Sequence, residues 1–262
     1  MNPAGSMKKF LQWFCLLLCL STLTGCFSWL HAYQTYLQMD DFEENFTFSV
    51  GNQFSLHFKD PLLYSEDLLA LLKLQASEIW RYEPGQHWRY LFRKIDAQGR
   101  VIQPGVKFYF DLKFNEKEQL VRWDFSSLFL EIAPAEFLEV SLRSLAGAKI
   151  DQGKRQLKAN LDFMGTISAE LPKKPQILQQ LGRPVSIKDK KGQEIYRYHF
   201  RLDTAKIEKG YEDRGLSVIK LSFDKTSRRL IKMSGRFMGL KISIDYRKYH
   251  KNSQQQLVQL VR

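Results

Sequence analysis

The chain of 262 residues is short of the residues that most often carry chemistry. Its three cysteines, Cys15, Cys19 and Cys26, all fall in the first 26 positions. The rest of the chain therefore has no disulfide framework, thiol nucleophile or cysteine-ligated metal site. The five histidines, at 31, 57, 87, 199 and 250, show neither H-x-x-x-H nor H-E-x-x-H spacing, which removes the common zinc signatures. There is no G-x-S-x-G elbow and no phosphate-cradling glycine loop. Paired carboxylates for glycan hydrolysis meet only in the fold, so a hydrolase stays open as the least favoured reading. No low-complexity stretch and no second apolar run follow the N-terminal one. The expectation is a protein without catalysis, cofactor or metal.

The N-terminus carries the most specific signal. Lys8 and Lys9 precede an apolar stretch, Phe10 to Leu20, broken only by Gln12, and then comes Leu23-Thr24-Gly25-Cys26. A basic start, a short apolar core and small residues before a cut describe a secretory signal. Ser21, Thr22, Thr24 and Gly25 interrupt the run before the roughly 18 residues that an uncleaved span needs. The stretch resembles a bacterial lipobox. That resemblance implies cleavage between Gly25 and Cys26, diacylation of the Cys26 thiol (palmitate is the usual label) and acylation of the new amine. Several acyl chains, at about 0.8 kcal/mol per buried CH₂, hold a protein firmly on a bilayer. By similarity to lipoprotein sorting in enteric bacteria, Phe27 rather than Asp after Cys26 implies the outer membrane, on its periplasmic side. Met1 to Ser6 fits no part of a signal, so Met7 competes with Met1 as the start.

Charge is unevenly divided. Residues 26–150 hold 13 Lys+Arg against 17 Asp+Glu, whereas 151–262 hold 25 against 11. A basic half calls for an anionic neighbour or simply a solvated surface. In an exported protein nucleic acid is excluded on compartment. Acidic envelope proteins, or the anionic phosphates of phospholipid or lipopolysaccharide, remain.

What is abundant is aromatic, with 19 Phe in the chain, and two aromatic stretches are near copies. WRYLFR (88–93) recurs as YRYHFR (196–201), 108 residues on. At period two, Trp88, Tyr90 and Phe92 share a face, as do Tyr196, Tyr198 and Phe200. The surroundings repeat too. A helix is expected from Ser65, its N-cap, with Glu66 and Asp67 in the first turn, and another is opened by Pro175 and closed by Gly182. Alternating runs follow each copy at 108–114 and 121–125, and at 219–223 and 231–234. Further strands are expected at 54–58 and 240–246, and an amphipathic helix at 135–148. Phe27, Leu30, Tyr33 and Leu37 would form one stripe if 27–39 is helical rather than a tether. The acidic cluster Asp40-Asp41-Phe42-Glu43-Glu44 reads as a solvated spacer, and 151–158 as a charged loop.

These signals give an α+β expectation: two tandem helix-on-antiparallel-meander modules after a lipoprotein signal peptide. The divisions are a signal at 1–25, a lipid-anchored tether at 26–48, a first module at 49–132, a connecting helix and loop at 133–160, a second, basic module at 161–250 and a tail at 251–262.

The second module resembles the lipoprotein family called BamE, SmpA or OmlA. The residues that carry the likeness are Ile177 to Pro184 (ILQQLGRP), Tyr196 to Phe200, and Leu221 to Asp224 with Arg229 to Ile231. Two such modules in tandem are similar to the β-lactamase inhibitor protein fold. The first module lacks Leu-Gly-x-Pro, and known members of the family's assembly role have one module. The resemblance implies an outer-membrane lipoprotein that supports assembly of β-barrel proteins by binding partners, and it supplies no catalytic residues. A LolB-like carrier of lipid or acylated protein is the alternative, and would need an apolar cavity inside a curved sheet. For a docking protein the candidate face is cationic. Arg197, Arg201, Lys220, Lys232, Arg236 and Lys241 fall on one side of the second module's strands, with Ser222, Ser234 and Ser243 among them and only Asp245 opposing.

Overall fold

The structure, a computed structural model, describes residues 27–51, 53–144, 149–151, 156–158, 167, 169–204 and 206–249. Gly25, Cys26, the signal region and the tail lie outside them. Helix α1 covers 27–37, followed by α2 (Phe42–Asn45), β1 (Phe46–Val50) and β2 (Phe54–Phe58). Next come α3 (Ser65–Leu72), β3 (Glu78–Tyr82), β4 (Gly85–Ile95), β5 (Lys107–Phe114) and β6 (Leu120–Phe125). Helices α4 (Ser127–Leu130) and α5 (Ala135–Arg143) lead to a small hairpin, β7 (Lys149–Asp151) with β8 (Gln156–Lys158). The chain then forms α6 (Lys174–Leu181), β9 (Ser186–Lys190), β10 (Gln193–Leu202), β11 (Leu216–Asp224), β12 (Leu230–Phe237) and β13 (Leu240–Asp245).

The two copied hexamers lie in adjacent strands. β4 and β10 pair antiparallel, with Phe92 opposite Leu202, Arg93 opposite Arg201, Lys94 opposite Phe200 and Ile95 opposite His199. Arg93 and Arg201 are separated by the repeat offset of 108 residues, so a pseudo-twofold axis passes between them. About that axis β5 corresponds to β11, β6 to β12 and α3 to α6. β3 and β9 correspond as well, each pairing with the N-terminal part of its own long strand. The correspondence reaches single bonds. Leu120 N–H donates to Leu63 O as Leu230 N–H donates to Pro172 O, and the bridge Tyr64–Gln119 matches Lys173–Arg229.

This pairing overturns the expectation of two α+β helix-on-meander modules. Nine strands run continuously as β1-β2-β6-β5-β4-β10-β11-β12-β13, with β3 and β9 added at the junction, and the sheet curls into a half-barrel. The protein is mainly antiparallel sheet, and its helices are short. The physical reason is the edge. A helix can cover one face of a meander but leaves its outer strand's N–H and C=O groups open, and each half closes the other's edge.

One core results. Trp88, Tyr90, Phe92, Tyr196, Tyr198 and Phe200 are all buried in a single apolar cluster, together with Phe129 of α4 and Phe137 of α5. Rings meet across the axis, with Phe108 4.9 Å from Phe200. Phe237 lies at the centre, 5.5 to 6.2 Å from Phe92, Phe108, Phe110 and Phe129. Gly235, two residues earlier on the same face, leaves room for that ring, since a Cβ there would lie 2.7 Å from it.

Local signals act as their chemistry dictates, with shifts. Tyr64 rather than Ser65 is the N-cap of α3, its N–H donating to the Asp67 carboxylate at 2.9 Å, while the Ser65 hydroxyl bonds Glu118. α6 repeats the arrangement with Lys173 N–H and the Gln176 side chain. Gly182 ends α6 at φ +67, a region where a side chain would be strained. Residues 149–151 and 156–158, at the edges of the expected loop, pair as strands, and 46–50 of the expected tether and module start form β1.

The helices are closed across the axis. Lys94, 3% exposed, donates to Leu181 O at 2.5 Å and Arg183 O at 2.7 Å at the end of α6. Arg214 of the second half donates to Leu71 O at 2.6 Å and Leu72 O at 2.7 Å at the end of α3. Each helix thus has its unsatisfied last carbonyls bound by a buried cation of the other half. Burial pushes the Lys94 pKa down. Replacing Lys94 with Met leaves the two carbonyls without that donor and is expected to cost about 1–3 kcal/mol in urea unfolding. An unchanged midpoint would show that Lys94 does not hold the halves together.

Candidate interaction surface

Along every strand of the curled sheet the side chains that do not enter the core point outward. Cross-strand register places Arg197 opposite Lys220, Lys220 opposite Ser234 and Ser234 opposite Ser243. A second row runs Ser222, Lys232, Asp245, and Arg236 lies opposite Lys241. Arg201 is at the pseudo-axis, opposite Arg93. The six cations named from the sequence do share one face, over four neighbouring strands.

The two halves satisfy their outward cations differently. In the first half Arg89 grips Asp111 bidentately at 2.8 and 2.7 Å, with His87 3.2 Å from the same carboxylate. Arg122 bonds Asp124 at 2.5 Å, with Lys113 3.9 Å away, and Arg93 bonds Asp203 at 2.7 Å. Asp111 and Asp124 are buried beneath these side chains. Burial pushes the Asp111 pKa up, but the hydrogen bonds and charges of Arg89 and His87 outweigh it and hold the carboxyl below its ordinary value. In the second half Arg197, Lys220, Lys232 and Lys241 form no ion pair with any described residue. Arg201 donates to the Gly99 carbonyl, and Arg236 meets Asp213 only at 3.4 Å. Asp245, beside Lys232, is gripped by Arg247 at 2.9 and 2.7 Å. Like charges sit directly opposite at Arg197/Lys220 and Arg236/Lys241, which disfavours the face in isolation.

The sequence marks His199 only as one of the histidines without zinc spacing. It lies between Arg197 and Arg201 on the same face and is half-buried. Burial first, and then the Arg197 charge, lower its pKa. The i, i+2, i+4 spacing Arg-x-His-x-Arg was the available signal. The pairing of Arg93 with Asp203, 110 residues away, had none.

Elsewhere the surface offers little chemistry. Two depressions among the described residues are open, one more apolar and lined by Arg81 to Gln86 with Asn115, the other more polar and lined by Ser49, Gln53, Ser55, Tyr109, Arg122 and Ser127. Ser49 Oγ lies 2.8 Å from His57 Nε2 on neighbouring strands. The carboxylate that could orient that imidazole, Asp124, is instead taken up by Arg122 and Lys113. Among the described residues no three His, Cys, Asp or Glu side chains are grouped to hold a metal, and no helix is long and apolar enough to cross a membrane. Comparison with known protein families, with curated proteins and with solved structures returns no match.

Neutralising Arg197 removes one of the two effects that depress His199. Arg197→Gln is therefore expected to raise the His199 pKa toward its ordinary value near 6.5 in an NMR titration of the imidazole. No shift would place the Arg197 charge away from His199.

Proposed function

We propose that the protein is a non-catalytic lipoprotein of the bacterial outer membrane, anchored through Cys26, that docks an acidic partner protein on the outward face of β10–β13. The observation that carries the reading is the contrast between the halves. Equivalent positions of one sheet hold cations that are ion-paired in the first half, whereas in the second Arg197, Lys220, Lys232 and Lys241 pair with no described residue, so none of the described residues supplies the charge that would offset them. An acidic surface laid on the face supplies it, with Arg197 and Arg201 offering planar, two-pronged donors to carboxylates. The likeness of residues 177–231 to the BamE family points the same way, toward binding rather than turnover. The filled interior argues against the carrier reading, since the hollow a bound acyl chain would need is occupied by Phe92, Phe108, Phe110, Phe129, Phe200 and Phe237.

Arg197, Lys220 and Lys241 make no ion pair with a described residue, so reversing all three to Glu leaves the fold's bonds in place. Co-purification from solubilised envelopes is expected to recover a partner with the parent protein, more weakly as salt rises, and to lose it with the triple variant. Capture that survives the reversal, or that ignores salt, would make this face a solvated surface only.

A further inference from the structure

Helix α1 is amphipathic and packed the opposite way round from an ordinary surface helix. Its inward side is polar. Ser28 and Thr35 are buried, and His31 Nδ1 lies 2.8 Å from the buried Asp67 carboxylate, its ring 5.2 Å from that of Tyr64. Just beyond the helix, Gln38 donates to Asp60 O at 2.8 Å. Its outward side is apolar: Phe27, Trp29, Leu30, Tyr33 and Leu37 are each 42 to 56% exposed. A helix on a water-facing protein normally buries its apolar stripe and solvates its polar one. Here the polar stripe is used for docking and the apolar one is covered by none of the described residues, with Trp and Tyr, the residues favoured at membrane–water interfaces, among its members.

We propose that α1 is an interfacial helix that lies along the bilayer surface with Trp29, Leu30, Tyr33 and Leu37 in the acyl boundary, clamped to helix α3 by His31–Asp67. The proposal rests on the lipoprotein reading for its geometry: Cys26 immediately precedes Phe27, so the acyl chains enter the membrane at the helix's first turn. Eleven residues span about 16 Å as a helix, about half the hydrocarbon thickness, so α1 lies on the membrane and does not cross it. The residues that follow α1, Asp40, Asp41, Glu43 and Glu44, are acidic and disfavour anionic headgroups, so apolar area and not charge drives the association. The clamp fixes how the sheet sits relative to the membrane, which a flexible tether would not.

The test uses residues 26–262 carrying Cys26→Ser, which has no acyl chain, floated with neutral phosphatidylcholine vesicles. The parent is expected to float, with partitioning insensitive to salt. Trp29→Gln/Leu30→Gln/Tyr33→Gln, all at exposed positions, is expected to lower partitioning at least tenfold, each side chain being worth about that factor when fully buried. Unchanged circular dichroism checks that the variant is folded. A parent that fails to float, or a variant that floats equally well, would overturn the proposal. So would a parent dimer that the triple variant breaks, since a second copy would then cover the stripe. Acylation is read separately, by palmitate labelling of the unmutated chain. Flotation without labelling would overturn the anchor and leave the helix assignment standing.

Discussion

The antiparallel pairing of β4 with β10 is the constraint on which the rest of the structure depends. Four residues from each strand meet there, centred on Arg93 and Arg201. A repeated half that ended in an open strand would expose a row of unpaired N–H and C=O groups. Pairing the equivalent strands about a twofold axis closes both edges at once, because antiparallel strands are related by such an axis. The nine-strand curl, the aromatic core shared by both halves and the reciprocal binding of helix ends by Lys94 and Arg214 all follow from that junction.

Burying one face so completely leaves function to the other face and to the margins. Among the described residues the core side is filled by aromatic and aliphatic side chains, with Phe92, Phe108, Phe110, Phe129, Phe200 and Phe237 at its centre. The outer side carries the charged side chains among serines and other polar residues, and there the two halves have diverged. Asp111 and Asp124 neutralise the first half from within, and at the corresponding register positions the second half has Lys220 and Ser234. The repeat was kept where packing demands it and changed where solvent or a partner is met.

Much of this was legible in the sequence. The aromatic alternation of the two hexamers, the turns, and Pro175 with Gly182 locate strands and α6 because period, φ preference and a missing N–H are local properties. The cationic face was legible for the same reason, since alternation alone assigns a side. Which edge pairs with which was not legible: period two assigns faces and is silent about neighbours, so the halves read as separate modules. The partners of Arg93 and Arg236, namely Asp203 and Asp213, lie in irregular or short helical segments whose positions only the closed sheet determines. The stripe on α1 was visible as a pattern, but its outward orientation depends on His31 finding Asp67.

Native-state hydrogen exchange at the junction tests the central claim most directly. If the β4–β10 pairing makes one folding unit of two repeats, the bonded amides within 92–95 and 199–202 exchange only by global unfolding, with the same free energy as those of β5 and β11. Junction amides that exchange by a lower-energy opening, while β5 and β11 stay protected, would show two modules that merely touch.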